Sequence, residues 1–177
     1  MKIQQTLFLL CLFSLFTLSS CFNNDDEDKI TPDKATLLGK WLMTDITYSG
    51  TSTTAIPGFD PITADFTGVG SDSDYTIELT ERDFTASGGY TATLTTTSLG
   101  QTFTQTIVGT NYASSGPWTL NGDQLTISPQ GEAPVTMTVK NLSENSFDMS
   151  FDLQIVKDEF GGTVTQSVQG SMSFVKQ

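Results

Sequence analysis

The chain has 177 residues, of which 20 are acidic and 8 basic, so its formal net charge is −12 at pH 7. Such an acidic chain repels nucleic acid and gains nothing at an anionic membrane surface. His is absent and Cys occurs twice, which excludes a Ser-His-Asp triad and an imidazole metal ligand. We therefore expect no enzyme, no catalytic residue, no metal site and no cofactor.

Residues 1–20 have the three parts of a secretory leader. Lys2 gives a weakly positive start, Leu7 to Leu18 is an apolar stretch, and Ser19 and Ser20 precede the cleavage point. About a dozen apolar residues are too few to span a bilayer, which takes roughly 20. The leader is therefore expected to be removed rather than to remain as a membrane helix.

The run Leu18-Ser19-Ser20-Cys21 resembles a bacterial lipobox. The resemblance implies that Cys21 is acylated, with palmitate-type chains, and becomes the first residue of the mature protein. Several acyl chains, each contributing roughly 0.8 kcal/mol per buried methylene, would hold the protein stably at a membrane. The alternative is an ordinary cleaved signal in which Cys21 is incidental.

Residues 21–34 are expected to form a flexible acidic tether. The run Asp25, Asp26, Glu27 and Asp28 resembles the surface-export signal of lipoproteins from the Bacteroidota. That resemblance implies an outer-membrane lipoprotein exposed on the cell surface. A plain solvated linker is the alternative, because a charged run without apolar residues cannot bury enough surface to fold.

Residues 35–177 are predicted to form one all-β domain. Apolar residues alternate with polar ones in several segments, most clearly from Phe147 to Ile155 and again from Val164 to Phe174. About nine such segments follow one another at short spacing, which favours an antiparallel up-and-down barrel of about 8–9 strands. A closed barrel also leaves no free edge on low-charge strands such as 90–99. One or two helical turns are expected between Pro32 and Gly39.

Two hairpins can be given a register. Asn121-Gly122 is typical of a two-residue type I′ turn, and such a turn pairs Trp118 with Leu125. A three-residue loop at 143–145 pairs Val139 with Met149, with Asn145 in the left-handed conformation. By contrast, residues 49–74 show little periodicity and are predicted to be one long loop.

Gly39 and Trp41 resemble the G-x-W that begins the first strand of lipocalins, and the segments 116–127 and 139–147 resemble those of bacterial lipocalin-like lipoproteins. The resemblance covers residues 35–177. It implies a barrel with Trp41 packed at its closed end, commonly beneath an Arg from the last strand. Here that strand offers only Lys176, so we expect the floor of the barrel to be built differently.

The resemblance implies that a small apolar molecule is held in the barrel mouth. Candidate ligand-binding residues are Phe59 and Phe66 in the long loop, which would act as a lid, and Gln166 and Gly170, which interrupt the apolar face of the last strand. Two alternatives remain open. The bulky inward residues could fill the barrel, leaving an accessory role for the outer surface, and the loop could plug one end. The protein is expected to be a monomer.

Overall fold

The computed structural model describes residues 32–109, 112–159 and 161–177, so the leader, Cys21 and the acidic run lie outside the described residues. The described part is almost entirely β. It comprises helix α1 (Lys34–Leu37) and strands β1 (Gly39–Ala55), β2 (Ile62–Ser71), β3 (Thr76–Leu79), β4 (Asp83–Gly88), β5 (Thr91–Ser98), β6 (Gln101–Val108), β7 (Tyr112–Asn121), β8 (Gln124–Ile127), β9 (Val135–Lys140), β10 (Ser146–Glu159) and β11 (Gly162–Lys176).

Eight antiparallel strands close into a barrel, as predicted. The order around it is β1-β3-β4-β7-β8-β9-β10-β11, and β11 pairs back onto β1 from Trp41↔Lys176 onward. Neighbours in this ring are mostly neighbours in sequence, because short turns join antiparallel strands most easily. The chain folds back between β4 and β7, where β5 and β6 leave the ring.

The sheet continues beyond the barrel as an open extension. β1 has 17 residues, and its two halves have different partners: Gly39–Leu42 pairs with β3, whereas Thr47–Thr54 pairs with β2. β5 then adds to β2, and β6 adds to β5. On the other side of β1, β11 pairs with this second half and β10 pairs with β11, so an open sheet β10-β11-β1-β2-β5-β6 extends beyond the closed ring. The expectation that closure removes every strand edge is therefore wrong.

The prediction of a long loop over residues 49–74 is also wrong. The segment is a hairpin in which β1 pairs with β2, for example Tyr48↔Gly68 and Gly50↔Phe66, around a turn at residues 56–61. Alternation is hidden in the sequence because inward positions such as Gly50, Gly68 and Gly70 carry no side chain. Neither a lid nor a plug made by a loop is present in this segment.

Of the two hairpin registers predicted from the sequence, one is wrong and one is confirmed. At Asn121-Gly122 the strands pair Leu120↔Leu125 and Trp118↔Ile127, so the turn residues are 122–123 and the predicted register is wrong. At 143–145 the predicted pairing Val139↔Met149 is confirmed. The left-handed residue there is Asn141, with φ of 50°, rather than Asn145.

A β-bulge in β1 brings both halves of that strand to the core. The pairing with β11 shifts between Met43 and Asp45, so the buried positions change from Trp41 and Met43 to Ile46.

The barrel interior is filled by one continuous cluster of buried side chains. The members predicted to point inward include Trp118, Met137, Phe147, Met149 and Phe174.

Helix α1 lies at the end of the barrel where β1 begins. Its cap is Asp33, whose carboxylate accepts from the Thr36 amide and hydroxyl at 2.7 and 2.8 Å; these bonds lower the Asp33 pKa. Leu37 is fully buried, and its carbonyl accepts from Trp41 Nε1 at 2.9 Å. Lys176 Nζ lies 5.0 Å from the Trp41 ring centroid. A cation from the last strand therefore does cover Trp41, although it is Lys rather than Arg.

Candidate functional site

The inner face of the open sheet continues the apolar wall of the barrel past its filled core. We call this face the inner platform. Its apolar side chains are half-buried, in contrast to the fully buried cluster below them. The members are Tyr48, Phe66, Leu94, Phe151, Leu153, Ile155, Val164 and Val168.

Cross-strand pairing sets the platform in rows. One row runs Phe151–Gly170–Tyr48–Gly68–Leu94, and the next runs Leu153–Val168–Gly50–Phe66. Successive rows lie about 6.7 Å apart, because every second residue of a strand faces the same way. The row below, through Met149, Met172 and Ile46, belongs to or packs on the core.

Aromatic rings lie over glycines across the strands of the platform. A Cβ built on Gly68 would meet the Tyr48 ring, and one built on Gly170 would lie 2.6 Å from Phe151 Cζ and 2.8 Å from Tyr48 Cβ. Phe66 occupies the same position over Gly50 and meets Tyr48 edge-on at 6.4 Å. Each ring therefore covers a glycine of the neighbouring strand, where a Cβ would collide with it.

Three of the four predicted ligand-binding residues share the platform. Phe66 is half-buried on β2, and Gln166 lies on β11 between Ile155 and Ser52. Gly170 lies between Phe151 and Tyr48, and the Phe151 ring occupies the space that a side chain at this position would take. Phe59 is separate from them: it is 76% exposed in the β1–β2 turn. There it lines a depression of about 640 Å³ shared with the β10–β11 turn.

Tyr48 and Leu153 were not singled out as site residues from the sequence, although they lie at the centre of the platform. The alternation of β10 in the sequence already indicates that Leu153 faces inward. The sequence gives no such indication for Tyr48, because the bulge changes which residues of β1 face inward and the next inward residue is Gly50. Only the pairing with β11 shows that Tyr48 faces inward.

A second concavity lies on the opposite, outer face of the same sheet. It is an open groove of about 800 Å³ across β8, β9, β10, β11, β1 and β2. Most of its lining side chains are hydroxyls and amides, and one carboxylate, Asp152, is among them. Neighbouring hydroxyls bond to each other, as Thr47 does to Ser171 at 3.3 Å. Hydroxyl and amide groups therefore line much of this groove, whereas the inner platform carries aromatic and aliphatic side chains.

The described residues offer little for metal chemistry. Within residues 32–109, 112–159 and 161–177, no three carboxylate, thiol or imidazole side chains are grouped so that they could hold a metal ion. In the same ranges, no helix is long and apolar enough to cross a membrane. The sheet therefore offers two surfaces, an inner face of aromatic and aliphatic side chains and an outer groove lined largely by hydroxyl and amide groups.

A model of the lipocalin-like domain family matches residues 37–149 of the chain. The match covers more than half of the sequence and spans β1 to the start of β10, so the chain belongs to the lipocalin-like domain family. Such domains generally bind rather than catalyse. Neither the curated proteins nor the solved structures gave a match.

Proposed function

We propose that this protein is a membrane-anchored lipocalin-like lipoprotein whose inner platform binds a small apolar ligand. The observation that carries the proposal is the row of half-buried apolar side chains, among them Phe66, Leu153 and Val168, directly above a filled core. Binding sites are commonly apolar with a few polar groups that fix orientation, and Gln166 supplies one amide beside Ile155. The core itself has its space occupied, so the ligand would rest on the platform rather than inside the closed ring.

The anchor in this proposal is the acylated Cys21, and the address is the acidic run Asp25–Asp28. The first motif resembles a bacterial lipobox and the second the surface-export signal of lipoproteins from the Bacteroidota, and the location they support is the outer membrane, facing the cell exterior. The net charge without residues 1–20 is −13, from seven basic and twenty acidic residues, so lipid rather than electrostatics would hold the protein at an anionic membrane. A role in binding rather than catalysis is in keeping with the family and with the absence of His from the sequence.

Fluorescence of N-phenyl-1-naphthylamine tests the platform, since this probe is apolar and uncharged and the protein is strongly acidic. The full chain should enhance and blue-shift the emission. Leu153→Asn, on the inner face of β10, should abolish the enhancement. Val156→Asn, on the outer face of the same strand and 61% exposed, is the matched control and should leave it unchanged. Urea midpoints of both variants establish that each is folded.

A wild-type protein that gives no enhancement would contradict ligand binding on the platform. That result would favour a second function, an accessory lipoprotein that acts through its outer surface. The filled core is the observation that favours this alternative, because packed side chains leave the ring no space for a guest. Equal loss of signal in both Asn variants would show that the probe reports the fold rather than a site.

A further inference from the structure

Strand β6 ends the open sheet with an edge that no other strand covers in the part of the chain that the structure describes. We propose that this edge joins a second copy of the same chain, so that two β6 strands pair antiparallel about a two-fold axis. An unpaired strand presents a row of free backbone donors and acceptors, which is a template for another strand. The proposal is independent of ligand binding on the inner platform, and it departs from the monomer expected from the sequence.

The chemistry of β6 lacks the usual protection of an edge. Gln101–Val108 carries no charged residue, in a chain whose net charge is −12. All eight of its residues are exposed, and Phe103 is 62% and Ile107 44% accessible. At the other edge of the open sheet, β10 beyond Ser150 carries Asp152, Lys157 and Asp158. Charges of that kind hinder edge-to-edge pairing, so β6 is the edge open to a second strand.

The hairpin that precedes β6 determines which backbone groups are free. Leu99 and Gly100 have φ of 50° and 76°, as a two-residue type I′ turn requires. Such a turn closes on a hydrogen-bonded pair, here Ser98↔Gln101. Hydrogen-bonded pairs alternate along an antiparallel ladder. Residues 101, 103, 105 and 107 therefore bond to β5, while Thr102, Thr104 and Thr106 direct their N–H and C=O groups to the free edge.

The side chains select one register. If the two-fold axis passes between the two Gln105 residues, Phe103 of each copy faces Ile107 of the other, and Thr104 faces Thr106. The Phe103–Ile107 contacts are then non-hydrogen-bonded pairs, in which side chains approach most closely. An axis at residue 104 or 106 would instead place Phe103 or Ile107 opposite Gln105. The register centred on Gln105 alone matches both inward-facing apolar residues of β6, Phe103 and Ile107, and it sets no two charges against each other. The third exposed apolar residue, Val108, lies on the other face and is opposite Thr102 in this register.

Site-specific disulfide formation in intact cells tests the pairing with the full chain. In a non-hydrogen-bonded pair the two Cα atoms at position 105 are about 4.5 Å apart, which lies within disulfide reach. Gln105→Cys should therefore form, under mild oxidation, a covalent species of twice the monomer mass. Gln101→Cys, also an exposed position of the same strand, should not, because its two copies lie about 27 Å apart in this register. The wild-type chain, which retains Cys21, gives the background.

Native mass spectrometry of the full chain from detergent provides a second readout. Wild type should be dimeric, and Gln105→Glu, which opposes two carboxylates across the axis, should be monomeric. Gln154→Glu, an exposed site on β10, should stay dimeric. Equal disulfide formation at positions 101 and 105, none at 105, a linked product of another mass, or a monomeric wild type would each overturn the proposal.

Discussion

Replacing Trp41 by Ala removes the side chain around which the floor of the barrel is packed. Trp41 is fully buried, and its ring meets Phe147 edge-on with centroids 4.7 Å apart. Its indole N–H bonds to the Leu37 carbonyl at 2.9 Å, which ties α1 to the barrel. Truncating a buried Trp costs about 3–5 kcal/mol, and a carbonyl that loses its partner adds to that cost. We expect a loss near the upper end of this range.

Urea unfolding followed by far-UV circular dichroism measures the effect. With a denaturant dependence of about 2 kcal/mol per molar, Trp41→Ala should lower the urea midpoint by about 2.5 M. Trp41→Phe keeps a ring against Phe147 and loses only the hydrogen bond and part of the volume, so its midpoint should lie in between. Lys176→Met removes the cation over the ring, worth about 0.5–1 kcal/mol at an exposed site, and should have the smallest effect.

The order of these three variants is the critical result. A midpoint for Trp41→Ala within about 0.3 M of wild type, at the slope assumed above, would refute the argument, since a fully buried ring cannot be removed without loss. A Lys176→Met variant as unstable as Trp41→Ala would show that the lysine, rather than the packed ring, holds the floor together.

Three further predictions concern the tether and the platform. Cys21→Ser should leave the protein in the soluble fraction, because acylation needs the thiol; retention on membranes after a carbonate wash would contradict the lipoprotein proposal. Replacing Asp25–Asp28 by Ala should abolish protease accessibility in intact cells without changing the fold, whereas unchanged accessibility would leave only a linker. Gly170→Phe should destabilise the domain by about 1–3 kcal/mol through overpacking, because Phe151 and the Thr47 carbonyl occupy its Cβ position. Gly122→Asn, at a φ of 62° with open space around it, should have a near-wild-type urea midpoint; an equal loss in both would mean that glycine replacement in general, rather than overpacking, is responsible.

Part of the candidate site could be read from the sequence. Gln166 and Gly170 share the parity of the apolar residues of β11, which predicts that they face inward, and the structure has them there. The sequence predicts Phe66 as a ligand-binding residue because it places Phe66 in a long loop that would act as a lid. In the structure Phe66 lies in strand β2, so that reason is wrong. Phe59 was grouped with it because both are apolar residues in one aperiodic segment, yet the hairpin places Phe59 in the turn, away from the platform.

The resemblance to lipocalins implied the burial of Trp41. The sequence by itself determined the all-β character and the positions of β5, β10 and β11. These features follow from local properties, since side chains alternate with period two and Gly or Asn interrupts the chain where it turns. Tertiary structure alone decided that β1 changes partner from β3 to β2, that a bulge turns Tyr48 inward, and that Lys176 reaches Trp41 from the other terminus. These features depend on which strands, distant in the sequence, pair and pack against one another. At Gly50 and Gly68 the inward position carries no side chain, and a ring from the neighbouring strand covers it. The sequence around each glycine therefore does not show that the position faces inward.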